Sequence, residues 1–229
     1  MLNNIDKVKN LDNKITELGK ELLYRMKCFL DIYKIISLNA IEINAIGREK
    51  IFFGQLQRMS LESYVLDICK VFEKEKNYEL NSLPSILKTA KDCKPQDEQP
   101  LRDFVNEYRD LLSQREECCS NSLIAELEQI YTKFYQKYFE QDDRIEKVRN
   151  KIIAHSEDIA NDVRSRGLPS YDFLEKLLFF ALDMHSAISK AYLQVFPHPI
   201  KNDRKVFSST CTVLEKLGVS NVKTKFDDD

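Results

Sequence analysis

Residues 5–43 read IDKVKNLDNKITELGKELLYRMKCFLDIYKIISLNAIEI. Within this run Ile5, Val8, Leu11, Ile15, Leu18, Leu22, Met26, Phe29, Tyr33, Ile36, Ala40 and Ile43 follow one another at steps of three or four. That is the period of one helix face, sustained well past the ordinary helix of about 11–12 residues. One long helix or two kinked pieces would satisfy it equally. Gly47 then interrupts the pattern. A second segment, from Lys50 to about Lys76, carries Phe52, Phe53, Leu56, Leu61, Tyr64, Val65, Ile68, Val71 and Phe72. Its apolar residues occupy more than one face, which predicts a central helix.

The rest of the chain continues in the same style. Ser82 ahead of Pro84 has the chemistry of a helix start, and a short helix is predicted to about Lys91. Pro95 and Pro100 bracket a polar connector. Helical spacing resumes at Leu101 with Phe104, Val105, Tyr108, Leu111 and Leu112, weakens before Ser120-Asn121-Ser122, and returns from Leu123 through Tyr138 and Phe139. Ile145, Val148, Ile152 and Ile153 extend it. Gly167 and Pro169 mark a loop. Residues 171–196 read as a strongly apolar helix ending before Pro197-His198-Pro199. One short helix is expected around Thr210 to Leu217. The expectation is an all-α bundle of four to five long helices with short additional helices. It forms one helical domain over residues 1–200 and a polar C-terminal extension over 201–229, partly frayed at Asp227-Asp228-Asp229.

Composition agrees and excludes several function classes. Five glycines in 229 residues is less than a third of the usual share of roughly 7%. Gly19, Gly47, Gly54, Gly167 and Gly218 are too scattered to form a dinucleotide-binding or phosphate-cradling loop. A net charge of −2 excludes a protein that coats nucleic acid with its whole surface, though not a local basic site. No apolar run approaches the roughly 20 residues of a membrane span, and the first residues lack the pattern of a secretion signal. A cytoplasmic protein is expected. The six cysteines, Cys28, Cys69, Cys93, Cys118, Cys119 and Cys211, include no CxxC pair. They read as reduced, mostly buried thiols, with no metal or cofactor expected.

One run carries chemistry: Asp142-Asp143-Arg144-Ile145-Glu146-Lys147-Val148-Arg149-Asn150-Lys151-Ile152-Ile153-Ala154-His155-Ser156. Arg149 is followed by an amide, Asn150, and six positions later by His155. Cleavage of RNA by its own 2′-hydroxyl needs a proton acceptor, a proton donor and positive charge at the phosphorane. His155 has an ordinary pKa of about 6.5 and suits either proton role. The fork of Arg149 suits a phosphorane, and the amide of Asn150 can orient the phosphate or the imidazole. Arg144, Lys147 and Lys151 add substrate-binding charge. On a straight helix six residues advance about 9 Å and turn about 240°. Arg149 and His155 then meet only if the helix distorts or if each faces a partner across a two-fold axis. Taken alone, the same residues also suit a solvated helix face with a histidine near the helix end.

The run from Arg149 to His155 resembles the signature of HEPN domains, helical bundles with an arginine, four to six residues, then a histidine. A polar residue often follows the arginine. Ala154-His155-Ser156-Glu157, and more loosely Leu61 to Leu87, resemble the abortive-infection AbiU-like branch, over roughly residues 10–200. The resemblance implies a metal-independent endoribonuclease acting on RNA as a homodimer with the two motifs facing each other. It also implies a toxin or phage-defence effector with an antitoxin protein as partner. A second reading stays open: a catalytically inert HEPN-like module that binds a partner protein or a nucleotide, mildly favoured by the acids Glu146, Glu157 and Asp158. Some HEPN toxins carry a tyrosine two residues after the histidine, where this chain has Glu157. Regulation by modification of that tyrosine is therefore not expected here. Outside the motif, His185 reads as a core or interface histidine, His198 as part of a chain reversal, and Asp142-Asp143 as a solvated helix start. Phe52, Phe53, Tyr131, Phe134, Tyr138, Phe179 and Phe180 read as core.

Overall fold

A computed structural model of the chain describes residues 4–74, 80–112, 122–141, 144–154, 169–195 and 200–225. The described residues form helices and connections, with no strand among them. The N-terminal stripe becomes α1 (Asn4–Glu17) and α2 (Tyr24–Leu38), joined without a break by a π-helical segment, Leu18–Leu23. The two expected alternatives thus merge into one helical run that is underwound in its middle. Asn39 ends the run, α3 (Ala40–Ala45) follows, and Gly47 turns the chain at φ +85°, where only glycine is unstrained.

Helix α4 (Lys50–Phe72) then returns antiparallel along α2. Its second half is central, as expected, with Leu61, Tyr64, Val65, Ile68, Val71 and Phe72 buried. Each such side chain contributes about 1.5–3 kcal/mol on leaving water. The first half differs: Phe53 is buried, whereas Phe52 is 61% exposed, so Phe52 is not a core residue. The physical reason is that two adjacent positions on a helix point about 100° apart, and only one of them meets α2. Arg25 clamps α2 to α4 by donating from Nε and a terminal nitrogen to the two carboxylate oxygens of buried Asp67, at 2.6 and 2.7 Å.

Helix α5 (Leu83–Ala90) starts as its sequence predicts, with Ser82 accepting from the Ser85 N–H and proline in the first turn. Helices α6 (Gln99–Glu107) and α7 (Leu123–Tyr135) follow, and α7 runs on through a second π-helical segment, Gln136–Glu140. Helix α8 (Arg144–Ala154) lies on α4, and α9 (Tyr171–Leu193) crosses α6, α2 and α1. The polar connector before α6 has a use: the Gln96 and Asp97 N–H groups both donate to the Ala191 carbonyl near the end of α9, at 2.8 and 3.1 Å. This is one of the carbonyls that a helix C-terminus leaves without an internal donor.

Two apolar clusters result. The larger one joins α1, α2 and α4 to α9. The smaller one lies where α10 (Lys205–Lys216) lays Phe207 and Leu214 on Ile35, Ile36 and Phe53. Helix α10 begins five residues before the stretch read from the sequence. Buried Asn39 holds the following chain to α2 by donating to the Lys223 carbonyl and accepting from the Lys223 N–H. No helix of the described residues is long and apolar enough to cross a membrane.

His185 lies inside the larger cluster and donates from Nε2 to the Ile15 carbonyl at 2.8 Å. A carbonyl can only accept, so Nε2 carries the hydrogen, and burial pushes the imidazole below its ordinary pKa. The ring sits against Gly19, where a Cβ would stand 2.9 Å from two ring atoms. Gly19 is therefore the residue that lets α9 reach the π-helical turn. Gly19→Ala should lower stability by about 1–3 kcal/mol through overpacking, read as a drop in thermal unfolding temperature. Gly54→Ala, with open space around its Cβ, should leave that temperature unchanged or raise it slightly.

Candidate functional site

Helix α8 carries the motif arginine, and its seating is set by two side chains. Ile145 and Val148, three apart on one face, are buried against α4. That seating leaves Glu146, Lys147, Arg149 and Asn150 exposed. Arg149 and Glu146, also three apart, flank the buried face and both line a cavity of about 310 Å³. The end of α4 supplies one wall with Cys69, Phe72, Glu73 and Lys74, and α7 with its π-helical extension supplies the other with Tyr135 and Phe139. Among the described residues neither Arg149 nor Glu146 has an ion-pair or hydrogen-bond partner.

The other expected residues are placed differently. Arg144 sets its guanidinium over the Phe173 ring of α9, 4.6 Å from the centroid, and does not line the cavity. Five residues separate Arg144 from Arg149, a turn of about 140° on a helix, so the two cannot share a face. Lys147 and Asn150 are exposed on α8 and do not line the cavity either. Lys151 belongs to α8 by its backbone. His155, Asp142, Asp143, Glu157, Asp158 and His198 lie outside the described residues.

Sequence reading did not find the cavity walls. Tyr135 and Phe139 lie four apart on a continuous helix and stack at 5.1 Å with 7° between their planes. Phe139 also packs on Phe72, 4.8 Å away. In the sequence Tyr135 and Phe139 look like ordinary core spacing, and nothing there pairs Phe139 with Phe72. What could have marked them is that they precede the motif helix by less than one helix length. Lys74 stands 5.3 Å from the Tyr135 ring centroid, in cation–π range.

Two groups at the cavity, Tyr135 and Cys69, are held protonated. Burial, and then Glu140, push the Tyr135 phenol above its ordinary value, so it remains a hydroxyl donor. Burial pushes the Cys69 thiol up to about 11, while the Arg149 guanidinium pulls it the other way. At neutral pH Cys69 is a thiol, not a nucleophilic thiolate. No group of three His, Cys, Asp or Glu side chains among the described residues is placed to hold a metal ion.

The coupling of Cys69 to Arg149 is testable. Alkylation of Cys69 by iodoacetamide, read by peptide mass spectrometry, should be slow at pH 7–8 and rise steeply toward pH 11. Arg149→Gln removes the charge that favours the thiolate, so its Cys69 should alkylate more slowly than wild type at the same alkaline pH.

The HEPN_AbiU2 family model (AbiU2) matches residues 9–207. No curated protein matches the chain, and no solved structure does. The match spans α1 to the first turn of α10 and includes the whole arginine-bearing helix and every wall of the cavity. With an all-helical bundle beneath it, that coverage places the chain in the HEPN_AbiU2 family.

Proposed function

We propose that this protein is a metal-independent endoribonuclease that acts as a homodimer, an abortive-infection effector held in check by an antitoxin protein in the cytoplasm. The observation that carries the proposal is Arg149: a family-motif guanidinium at the rim of a cavity, without an ion-pair partner among the described residues. A buried or paired arginine would point to structure. An arginine held at a cleft without an ion-pair partner among the described residues is available to a phosphate.

In the proposed reaction the substrate 2′-hydroxyl attacks the adjacent phosphorus. A base takes the hydroxyl proton, and the bond from phosphorus to the 5′-oxygen breaks. An acid protonates that leaving oxygen. The products are a 2′,3′-cyclic phosphate and a free 5′-hydroxyl. His155 is the proton-transfer residue, and its copy in the second subunit supplies the complementary role. Arg149 stabilises the phosphorane, and Asn150 orients the phosphate. Lys147, Lys151 and Arg144 supply charge along the approach, with Arg144 acting from its seat on Phe173 rather than from the cavity. A step of six residues from Arg149 to His155 in the sequence, which on a straight helix would turn them to different faces, favours a site shared across a two-fold axis.

Glu146 at the same cavity favours a second reading, in which the cleft binds a nucleotide or partner protein and catalyses nothing. The two separate by experiment. Under the first, purified protein cleaves RNA in the presence of EDTA and leaves cyclic phosphate ends. His155→Ala and Arg149→Ala each lower the rate by about 10²-fold or more, with the dimer still present by sedimentation. Cleavage by both variants at the wild-type rate refutes the assigned site. No cleavage by wild type leaves the binding module.

A further inference from the structure

The cavity beside Arg149 combines three chemistries on neighbouring surfaces. One is a flat aromatic wall. Phe72, Phe139 and Tyr135 form a row of rings with centroid steps of 4.8 and 5.1 Å, Tyr131 stacks on Tyr135 at 6.1 Å, and Tyr135 is only half-buried. The second is positive charge at two points, Arg149 on α8 and Lys74 just past the end of α4. The third is carboxylate: Glu146, which shares the cavity face of α8 with Arg149, and Glu73, next to Lys74 on the opposite wall.

At about 310 Å³ the cavity lies at the small end of ligand sites, which run from about 300 to 1,000 Å³. It fits one nucleotide rather than a helix or a strand of protein. A nucleotide also presents the three matching chemistries. Its base offers a π-face to an aromatic ring, and its phosphate offers oxygens to guanidinium and ammonium. Its Watson–Crick edge meets the carboxylate.

The carboxylate distinguishes the bases. It can only accept hydrogen bonds. Guanine presents two adjacent donors on that edge, N1–H and the N2 amino group, which fit the two oxygens of one carboxylate. Adenine and cytosine present one amino group beside a ring nitrogen that itself accepts. Uracil presents a single N–H between two carbonyls. In the last three a carboxylate gains one hydrogen bond at most and faces a lone pair beside it.

We propose that this cavity is a base pocket selective for guanine, with Tyr135 stacking on the base, Glu146 reading its N1–H and N2 amino edge, and Arg149 and Lys74 holding the phosphate. The pocket rests on the reading of this cleft as an RNA site, and it would direct cleavage to positions next to a guanosine.

The test uses the full-length protein and the four ribonucleoside 5′-monophosphates in calorimetric titration. GMP should bind at least about tenfold more tightly than AMP, CMP or UMP. Tyr135→Ala should weaken GMP binding about tenfold or more, as loss of one stacking partner does, while Tyr135→Phe, which keeps the ring, retains it. Glu146→Gln should bring GMP down to the level of the other three without changing those three. Glu146 is exposed, so this variant should unfold at the wild-type temperature. Equal binding of all four nucleotides, tighter binding of another base, or GMP preference that survives Glu146→Gln would each overturn the pocket. The outcomes separate from those for catalysis. RNA cleavage dependent on His155 and Arg149, with no base preference in binding, sinks the pocket and leaves the ribonuclease. Selective GMP binding in a protein that cuts no RNA sinks the ribonuclease and leaves the pocket.

Discussion

Phe72 is the side chain on which the rest of the molecule is aligned. It ends α4, is buried, and its ring meets Tyr131 and Phe134 of α7, Phe139 of the π-helical extension and Phe180 of α9. Phe134 and Phe180 stack on each other at 3.6 Å. The backbone of Phe72 takes part as well: its carbonyl, at a helix end, accepts from the Tyr131 hydroxyl at 2.8 Å. Three helices are thus registered by one aromatic group, through contacts whose preferred offsets fix position as well as contribute energy. The outer edge of that group, Phe139 and Tyr135, is one wall of the cavity at Arg149. The core and the candidate site are therefore one continuous set of rings, and a shift of α7 on α4 would move both.

The second constraint is electrostatic. A chain with so few glycines has no backbone cradle for phosphate, so anion chemistry falls to side chains projecting from helices. Most of the described cations near acids are taken up: Arg25 by Asp67, Arg58 by Glu62, Lys91 by Glu128, Lys201 by Asp183. These pairs hold elements together or lie along one helix. Arg149 stands apart from them. It remains at the cavity because Ile145 and Val148 seat the neighbouring face of α8 on α4 and leave Arg149 at its edge. The small net charge is consistent with this division, in which a local charge is kept for the site while the surface as a whole stays balanced.

Much of the fold was legible because helix formation is a local matter. The stripe from Ile5 to Ile43 predicts the α1–α2 run, Ser82 and Pro84 predict the start of α5, and the loop chemistry ahead of residue 171 predicts where α9 begins. Less visible were the two π-helical segments, Leu18–Leu23 and Gln136–Glu140. A single extra residue in a turn barely disturbs a three-to-four spacing, yet one of these segments receives His185 and the other carries Phe139 to the cavity. Helical spacing of the aromatics reads Phe52 as core together with Phe53, yet Phe52 is exposed. Burial depends on which side of α4 faces α2, and adjacency in sequence does not settle that.

The site divides in the same way. Arg149 stands out in the sequence because the spacing of arginine, amide and histidine is a pattern in one short segment. Its surroundings do not stand out: Cys69, Phe72 and Lys74 come from the end of α4 and the residues just past it, some 75 residues upstream, and Tyr135 and Phe139 resemble any core pair. Sequence alone determined that the chain is helical and that phosphate chemistry, if present, must come from side chains in the motif segment. Both follow from local periodicity and from which residue types are present or scarce. Only the tertiary structure decided that Arg149 and Glu146 share a cavity, that Arg144 is turned away onto Phe173, and that an aromatic wall stands opposite. Periodicity fixes which face of a helix is apolar. It does not fix which other helix that face meets, and the packing of α8 and α7 on the end of α4 is what makes the site.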